Sequence, residues 1–178
     1  MPELVRRRPS LLLLIVGEDA HQSLVHSREG MRARIEAATR RYGLERHVEL
    51  LGAVSDEALV ALYRRADLFV LPALDLPNDV EGFGIVFLEA ALASVPAVST
   101  RVGGIPDAVE DDRTGVLVEA GDWAAMSRCI ATLLDDRTRR AELGRAAEER
   151  ARRQFAWPVI VERYESVLLS TVQDRRRT

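Results

Sequence analysis

The 178 residues include no lysine, a single cysteine and only 5% aromatic side chains. The lone thiol, Cys129, can form neither an internal disulfide nor a cysteine-rich zinc site, so nothing points to an oxidising compartment. Long apolar runs are missing too. The longest, residues 11–16, falls well short of the ~20 residues that cross a bilayer, which excludes a membrane-spanning helix. It follows Arg6-Arg7-Arg8 and so mimics a secretion signal. Yet the run is shorter than the usual ~7–15 residues, and it breaks into Gly17-Glu18-Asp19 with no small-x-small cleavage site. A buried strand accounts for those letters. Excess positive charge is also lacking: 25 arginines face 28 carboxylates, for a net charge of −3 and a pI near 5.7. That balance removes the general electrostatic reason to bind nucleic acid or an anionic membrane.

What remains is the composition of a globular domain, 47% hydrophobic and 30% charged over 19.8 kDa. A chain of this length buries roughly 70% of its extended surface and needs no staple. Short apolar runs at 11–16, 48–51, 68–71, 97–99 and 116–118 read as strands. Helical patterns separate them. One spans 28–42 and ends at Gly43; a second opens at Ser55-Asp56 with Leu59, Leu62 and Tyr63 on one face; a third follows Gly84. A short one starts at Pro106, another runs from Asp122 to about 134, and two more span 138–154 and 157–172. Strands alternating with helices predict an α/β fold, a Rossmann-like parallel sheet flanked by helices with a helical carboxyl-terminal extension. The domain is expected over 10–172, with solvated tails at 1–9 and 173–178.

In open sheets of this kind ligands sit at the carboxyl ends of strands, where a loop enters the next helix. One such loop carries Glu81-Gly82-Phe83-Gly84 directly before a helix. Two glycines allow close backbone approach, and first-turn amides suit a phosphate; a glycine pair also serves tight strand–helix packing. Glu89 adds a second sign. Ile85, Leu88 and Leu92 stand at i, i+3 and i+7, and Glu89 at i+4 falls on the same stripe. A carboxylate on an apolar face must find donors, whether backbone amides, an arginine or vicinal sugar hydroxyls.

Glu81 and Glu89, seven residues apart in Glu-Gly-Phe-Gly-Ile-Val-Phe-Leu-Glu-Ala, resemble the Glu-x7-Glu signature of the family 4 retaining glycosyltransferases, built from two Rossmann-like domains. The resemblance runs from about residue 10 to 169. It includes Leu51-Gly52-Ala53-Val54-Ser55-Asp56-Glu57, Ala66-Asp67-Leu68-Phe69-Val70-Leu71-Pro72, Val102-Gly103-Gly104-Ile105-Pro106 and Thr114-Gly115-Val116-Leu117-Val118. These correspond to the carboxyl-terminal, donor-binding half of such enzymes. The resemblance implies a cytoplasmic hexosyltransferase, membrane-peripheral in the full enzyme, acting on a nucleotide-diphosphate sugar without a metal cofactor. Glu81 would contact the transferred sugar as the catalytic residue, the backbone at Phe83, Gly84 and Ile85 the sugar and distal phosphate, Glu89 the ribose, and Val54 and Ser55 the base. The Gly103-Gly104 turn is open to either a ligand or a packing role.

The chain departs from the family pattern where phosphates are concerned. Members carry an arginine and a lysine in the first strand–helix segment of this domain, ahead of the stretch matched here, and this sequence has no lysine. An acceptor-binding domain would come from a partner chain, or a homodimer would form through the last helix, where Val159, Val161, Tyr164, Val167 and Leu168 offer apolar surface. A noncatalytic nucleotide-sugar module, or half of a split enzyme, is the competing reading. Ser94 stands where glycine is common, His21 and His26 match no metal-ligand spacing, and the arginine-rich stretch 137–153 reads as a solvated helix face.

Overall fold

A computed structural model describes residues 1–18, 30–75 and 82–175. The chain divides into two compact units, Met1–Leu62 and Tyr63–Thr178. In the first, the amino terminus forms a helix, α1 (Pro2–Arg7), where a solvated tail was expected. Pro2 presets the first turn, Glu3 and the Arg6-Arg7 pair sit at the ends that suit the helix dipole, and Leu4 is buried. β1 (Leu13–Val16) and β2 (Val48–Gly52) pair in parallel around α2 (Met31–Arg41), from Leu13 opposite Val48 to Val16 opposite Gly52. His47 Nδ1–H donates to Leu11 O at 2.9 Å and fixes the entry to β1. α3 (Asp56–Arg65), whose last three residues from Tyr63 belong to the second unit, starts where Ser55 Oγ accepts the Ala58 N–H at 3.3 Å, an N-cap.

The second unit contains β3 (Phe69–Leu71), β4 (Ala97–Thr100) and β5 (Gly115–Val118), parallel and in that spatial order. Its helices are α4 (Ile85–Leu92), α5 (Ile105–Ala108), α6 (Trp123–Asp135), α7 (Arg137–Phe155) and α8 (Trp157–Arg175). Alternation along the strands decides the layers. Phe69, Leu71, Ala97 and Leu117 pack with Phe87 of α4 and Ile105 of α5, whereas Val70, Val98, Val116 and Val118 pack with Met126 and Leu133 of α6 and Leu143 of α7. Both sheet faces are covered, which is why these strands read as unbroken apolar runs. Asp122 and Asp136 cap α6 and α7, each accepting a backbone N–H at 2.8 Å.

α7 approaches closely because it presents small residues. Ala147 and Ala151 meet Ala91 of α4, and a Cβ at Gly144 would run into the Ser94 carbonyl, with Ser94 C at 2.8 Å. Ser94 itself lies at φ +59°, the left-handed conformation that explains a glycine preference there. Its hydroxyl donates to Glu148 of α7, a contact that with Arg152 holds the Glu148 carboxyl below its ordinary pKa. Along α8, Val159 is half-buried while Val161, Tyr164, Val167 and Leu168 are exposed.

Candidate functional site

The loop that leads to the site begins under the control of two buried hydroxyls. Ser99 Oγ donates to Leu71 O at 2.6 Å and Thr100 Oγ1 to Ala73 O at 2.7 Å, and both residues are fully buried on β4. The carbonyls of Leu71, the last residue of β3, and of Ala73 beyond it thereby gain donors from side chains. Glu81, the expected sugar contact, lies outside the described residues, as do Asp79, His21 and His26.

The chain is held at Gly82, whose carbonyl accepts the Gly104 N–H at 3.0 Å. A Cβ at Gly104 would press on Gly82 O, with Gly82 C at 3.0 Å and Phe83 Cα at 3.2 Å. Gly104 therefore serves the close approach of two backbones, and the turn it forms buttresses the loop. Gly82, by contrast, has open space where its side chain would be. Gly84 adopts φ 71°, ψ 68° at the N-cap of α4, and its carbonyl accepts the Phe87 N–H at 2.9 Å. Only glycine takes that conformation without strain.

No side chain caps α4 among the described residues, which leaves the positive end of its dipole open to an anion at the amides of Ile85 and Val86. The Ile85 side chain is 68% exposed. The Phe83 ring turns away, half-buried against Phe155 with centroids 5.2 Å apart, so Phe83 offers a ligand its backbone.

Glu89 is on α4 as expected, but the stripe assigned to it needs correction. The buried face of α4 is Phe87, Ala90 and Ala91; Ile85 and Leu92 are exposed and Leu88 is half-buried. Because every position of α4 but Glu89 is apolar, a 3.6-residue period could not choose its inner face. Glu89 stands at the margin, half-buried, where its Oε2 accepts the Tyr63 hydroxyl at 3.2 Å. Burial, the Glu89 charge and that hydrogen bond push the Tyr63 phenol up to about 12. Among the described residues no arginine pairs with Glu89.

Val54 and Ser55 belong to the first unit, Val54 half-buried and Ser55 exposed as the α3 cap. The cation that follows β4, Arg101, is engaged by Asp111 and by Glu119 at 3.3 Å, and Asp111 also accepts the Leu117 N–H at 2.8 Å. No cluster of three or more His, Cys, Asp and Glu fit to hold a metal occurs among the described residues. Ser99, Thr100 and Tyr63 were not singled out from sequence as site residues. Two hydroxyls ending a buried apolar strand, and a tyrosine on an apolar helix face, were the available signals, since buried hydroxyls need partners.

The family model for group 1 glycosyl transferases matches residues 1–150. The chain belongs to this family. A GDP-mannose-dependent monoacylated alpha-(1-6)-phosphatidylinositol monomannoside mannosyltransferase of Corynebacterium glutamicum is 33% identical over 96% of this chain and 42% of its own length. A glycogen synthase of Mycobacterium tuberculosis is 33% identical over 99% of this chain and 39% of its own. The chain thus spans about two fifths of these glycosyl transferases. Among solved structures, sucrose-phosphate synthase from Thermosynechococcus elongatus superposes with a TM-score of 0.78 at 28% identity, covering 97% of this chain and 41% of that one. The carboxyl-terminal domain of a group 1 glycosyl transferase from Francisella tularensis shares the fold, with a TM-score of 0.66 at 21% identity over 83% of this chain and 71% of that one. The α/β class expected from the sequence, parallel strands flanked by helices, is therefore the observed one, with the strands of the described residues forming a two-stranded and a three-stranded sheet where a single sheet was expected. No helix among the described residues is long and apolar enough to cross a membrane.

Proposed function

We propose that this chain is the donor-binding domain of a retaining, metal-independent glycosyltransferase that moves a hexose, mannose or glucose, from a nucleotide-diphosphate sugar to a glycan, lipid or small-molecule acceptor. The observation that carries the reading is the turn at Gly84. A left-handed glycine opens an uncapped helix, and a half-buried carboxylate follows on the same helix at Glu89. The amide end suits the distal phosphate and the carboxylate suits vicinal ribose hydroxyls. Glu81 contacts the transferred sugar, and Val54 and Ser55 border the base. Relatives that use GDP-mannose or make glycogen favour a hexose. The setting is cytoplasmic, and acceptor binding falls to a further domain or partner chain.

In this chemistry the sugar–phosphate bond breaks as negative charge builds on the diphosphate, so positioned amides and cations carry more of the rate than a general base. A helix terminus contributes about half a unit charge, less than a diphosphate needs. Arg101 is already shared by two carboxylates, so the chain by itself is a binder rather than an efficient transferase. Calorimetric titration with GDP-mannose, UDP-glucose and the free diphosphates tests the reading. Binding to at least one pair is expected, with Glu89→Ala weaker by about 1–3 kcal/mol, the cost of removing a buried polar partner. Equal affinity in the Glu89 variant would remove the ribose assignment, and no binding to any of the panel would remove the donor site.

A further inference from the structure

We infer that Tyr63 is a positioning residue for Glu89, fixing one carboxylate oxygen so that the other meets the ribose, and thereby sets a preference for ribonucleotides over deoxyribonucleotides. The inference rests on the donor-site reading of Glu89. It starts from how firmly the Tyr63 ring is placed. The ring meets Phe69 edge-on with centroids 5.9 Å apart, and Phe69 meets Phe87 edge-on at 5.5 Å. Phe87 is 2% exposed in the core and lies on α4, two residues before Glu89. Three rings thus join the end of α3, the start of β3 and the helix that carries the carboxylate. Edge-to-face contacts of this kind fix ring orientation as well as burying area. The hydroxyl at the end of that row has little freedom, and it donates to Glu89 Oε2.

A glutamate side chain has three rotatable bonds and, half-exposed, samples many rotamers unless something holds it. Among the described residues Tyr63 is the partner that does so. A single donor leaves the carboxylate most of its accepting capacity, since two oxygens offer about four lone-pair sites. The phenol is also the right kind of holder. It is neutral, so it does not compete with the ligand as a cation would, and with its pKa pushed up to about 12 it remains a donor at any working pH. An arginine in the same place would neutralise Glu89 and weaken its pull on hydroxyl donors.

The test is titration of the whole chain with GDP and UDP and with their 2′-deoxy counterparts, using the parent, Tyr63→Phe, Glu89→Gln and the double variant. Tyr63→Phe keeps the ring and both aromatic contacts and removes only the donor. The expected result is a ribose preference in the parent that Tyr63→Phe narrows by about three- to tenfold, with deoxynucleotide affinity close to the parent's. Glu89→Gln narrows it at least as far, and the double variant no further. If Tyr63→Phe keeps the full preference while Glu89→Gln loses it, the positioning role is wrong and the donor site stands. A Tyr63→Phe loss that is equal for ribose and deoxyribose would mark a merely structural residue and also overturn the role. If the parent binds neither diphosphate, or Glu89→Gln leaves the preference intact, the donor-site reading fails and this inference with it.

Discussion

Replacing Gly104 by alanine adds one methyl group at the point where two backbones cross. The φ of −85° at Gly104 is ordinary for any residue, so the substitution introduces no torsional strain. Its Cβ would press on Gly82 O, with Gly82 C at 3.0 Å and Phe83 Cα at 3.2 Å. Those atoms are backbone and cannot rotate aside. Gly82 must retreat by on the order of 1 Å to restore the ~3.5–4.0 Å of an unstrained contact. That movement loosens the Gly104 N–H to Gly82 O bond and carries Phe83 and Gly84 with it. Overpacking costs about 1–3 kcal/mol, and the lower end applies because Gly82 is exposed and can yield. Donor binding should suffer more, since a displacement of ~1 Å at a positioning element can cost about a hundredfold. Urea denaturation gives the stability term and calorimetry with a nucleotide sugar gives the affinity. The expected outcome is a small loss of stability with a large loss of affinity. Parent-like affinity in a variant that is measurably destabilised would show that the Gly82–Gly84 turn does not place the ligand.

Three further outcomes follow from particular contacts. Gly144→Ala, which in an unobstructed helix would stabilise by about 1 kcal/mol, should instead destabilise by about 1–3 kcal/mol because its methyl meets the Ser94 carbonyl; a raised melting temperature would refute the close packing of α7. Thr100→Val should cost about 1–3 kcal/mol in denaturant titration by leaving Ala73 O without its donor, and an unchanged midpoint would mean that the loop finds another. Raising the pH should weaken the fold through Tyr63: its folded pKa of about 12 lies above the unfolded value near 10, so its contribution is complete below pH ~10 and lost as the pH rises towards 12. Tyr63→Phe should flatten that alkaline limb, and an identical limb in both proteins would contradict the assignment.

Much of the fold was legible because both faces of the second sheet are buried, which turns each strand into a short apolar run bounded by helix caps such as Asp122. The predicted strand 11–16 proved two residues too long at its start, where Leu11 and Leu12 continue the apolar letters without a ladder partner in β2. Helix faces were harder. In Ile85-Val86-Phe87-Leu88-Glu89-Ala90-Ala91-Leu92 every position but one is apolar, and only the aromatic packing of Phe87 and the small-residue contact of Ala91 with α7 determine which side is buried. α1 was missed because six residues with one buried leucine carry almost no periodic signal. At the site, the glycines and Glu89 could be read as a motif. The residues that hold them, Gly104 against Gly82 and Tyr63 against Glu89, act across long separations in sequence, where spacing says nothing about contact.

The most direct measurement is a crystal structure of the chain with a nucleoside diphosphate bound. The account predicts the distal phosphate within hydrogen-bond reach of the amides that open α4 at Ile85 and Val86, and both ribose hydroxyls at the Glu89 carboxylate, with the Tyr63 hydroxyl still on the other oxygen. A nucleotide seated elsewhere, or in this turn with its ribose away from Glu89, would contradict it.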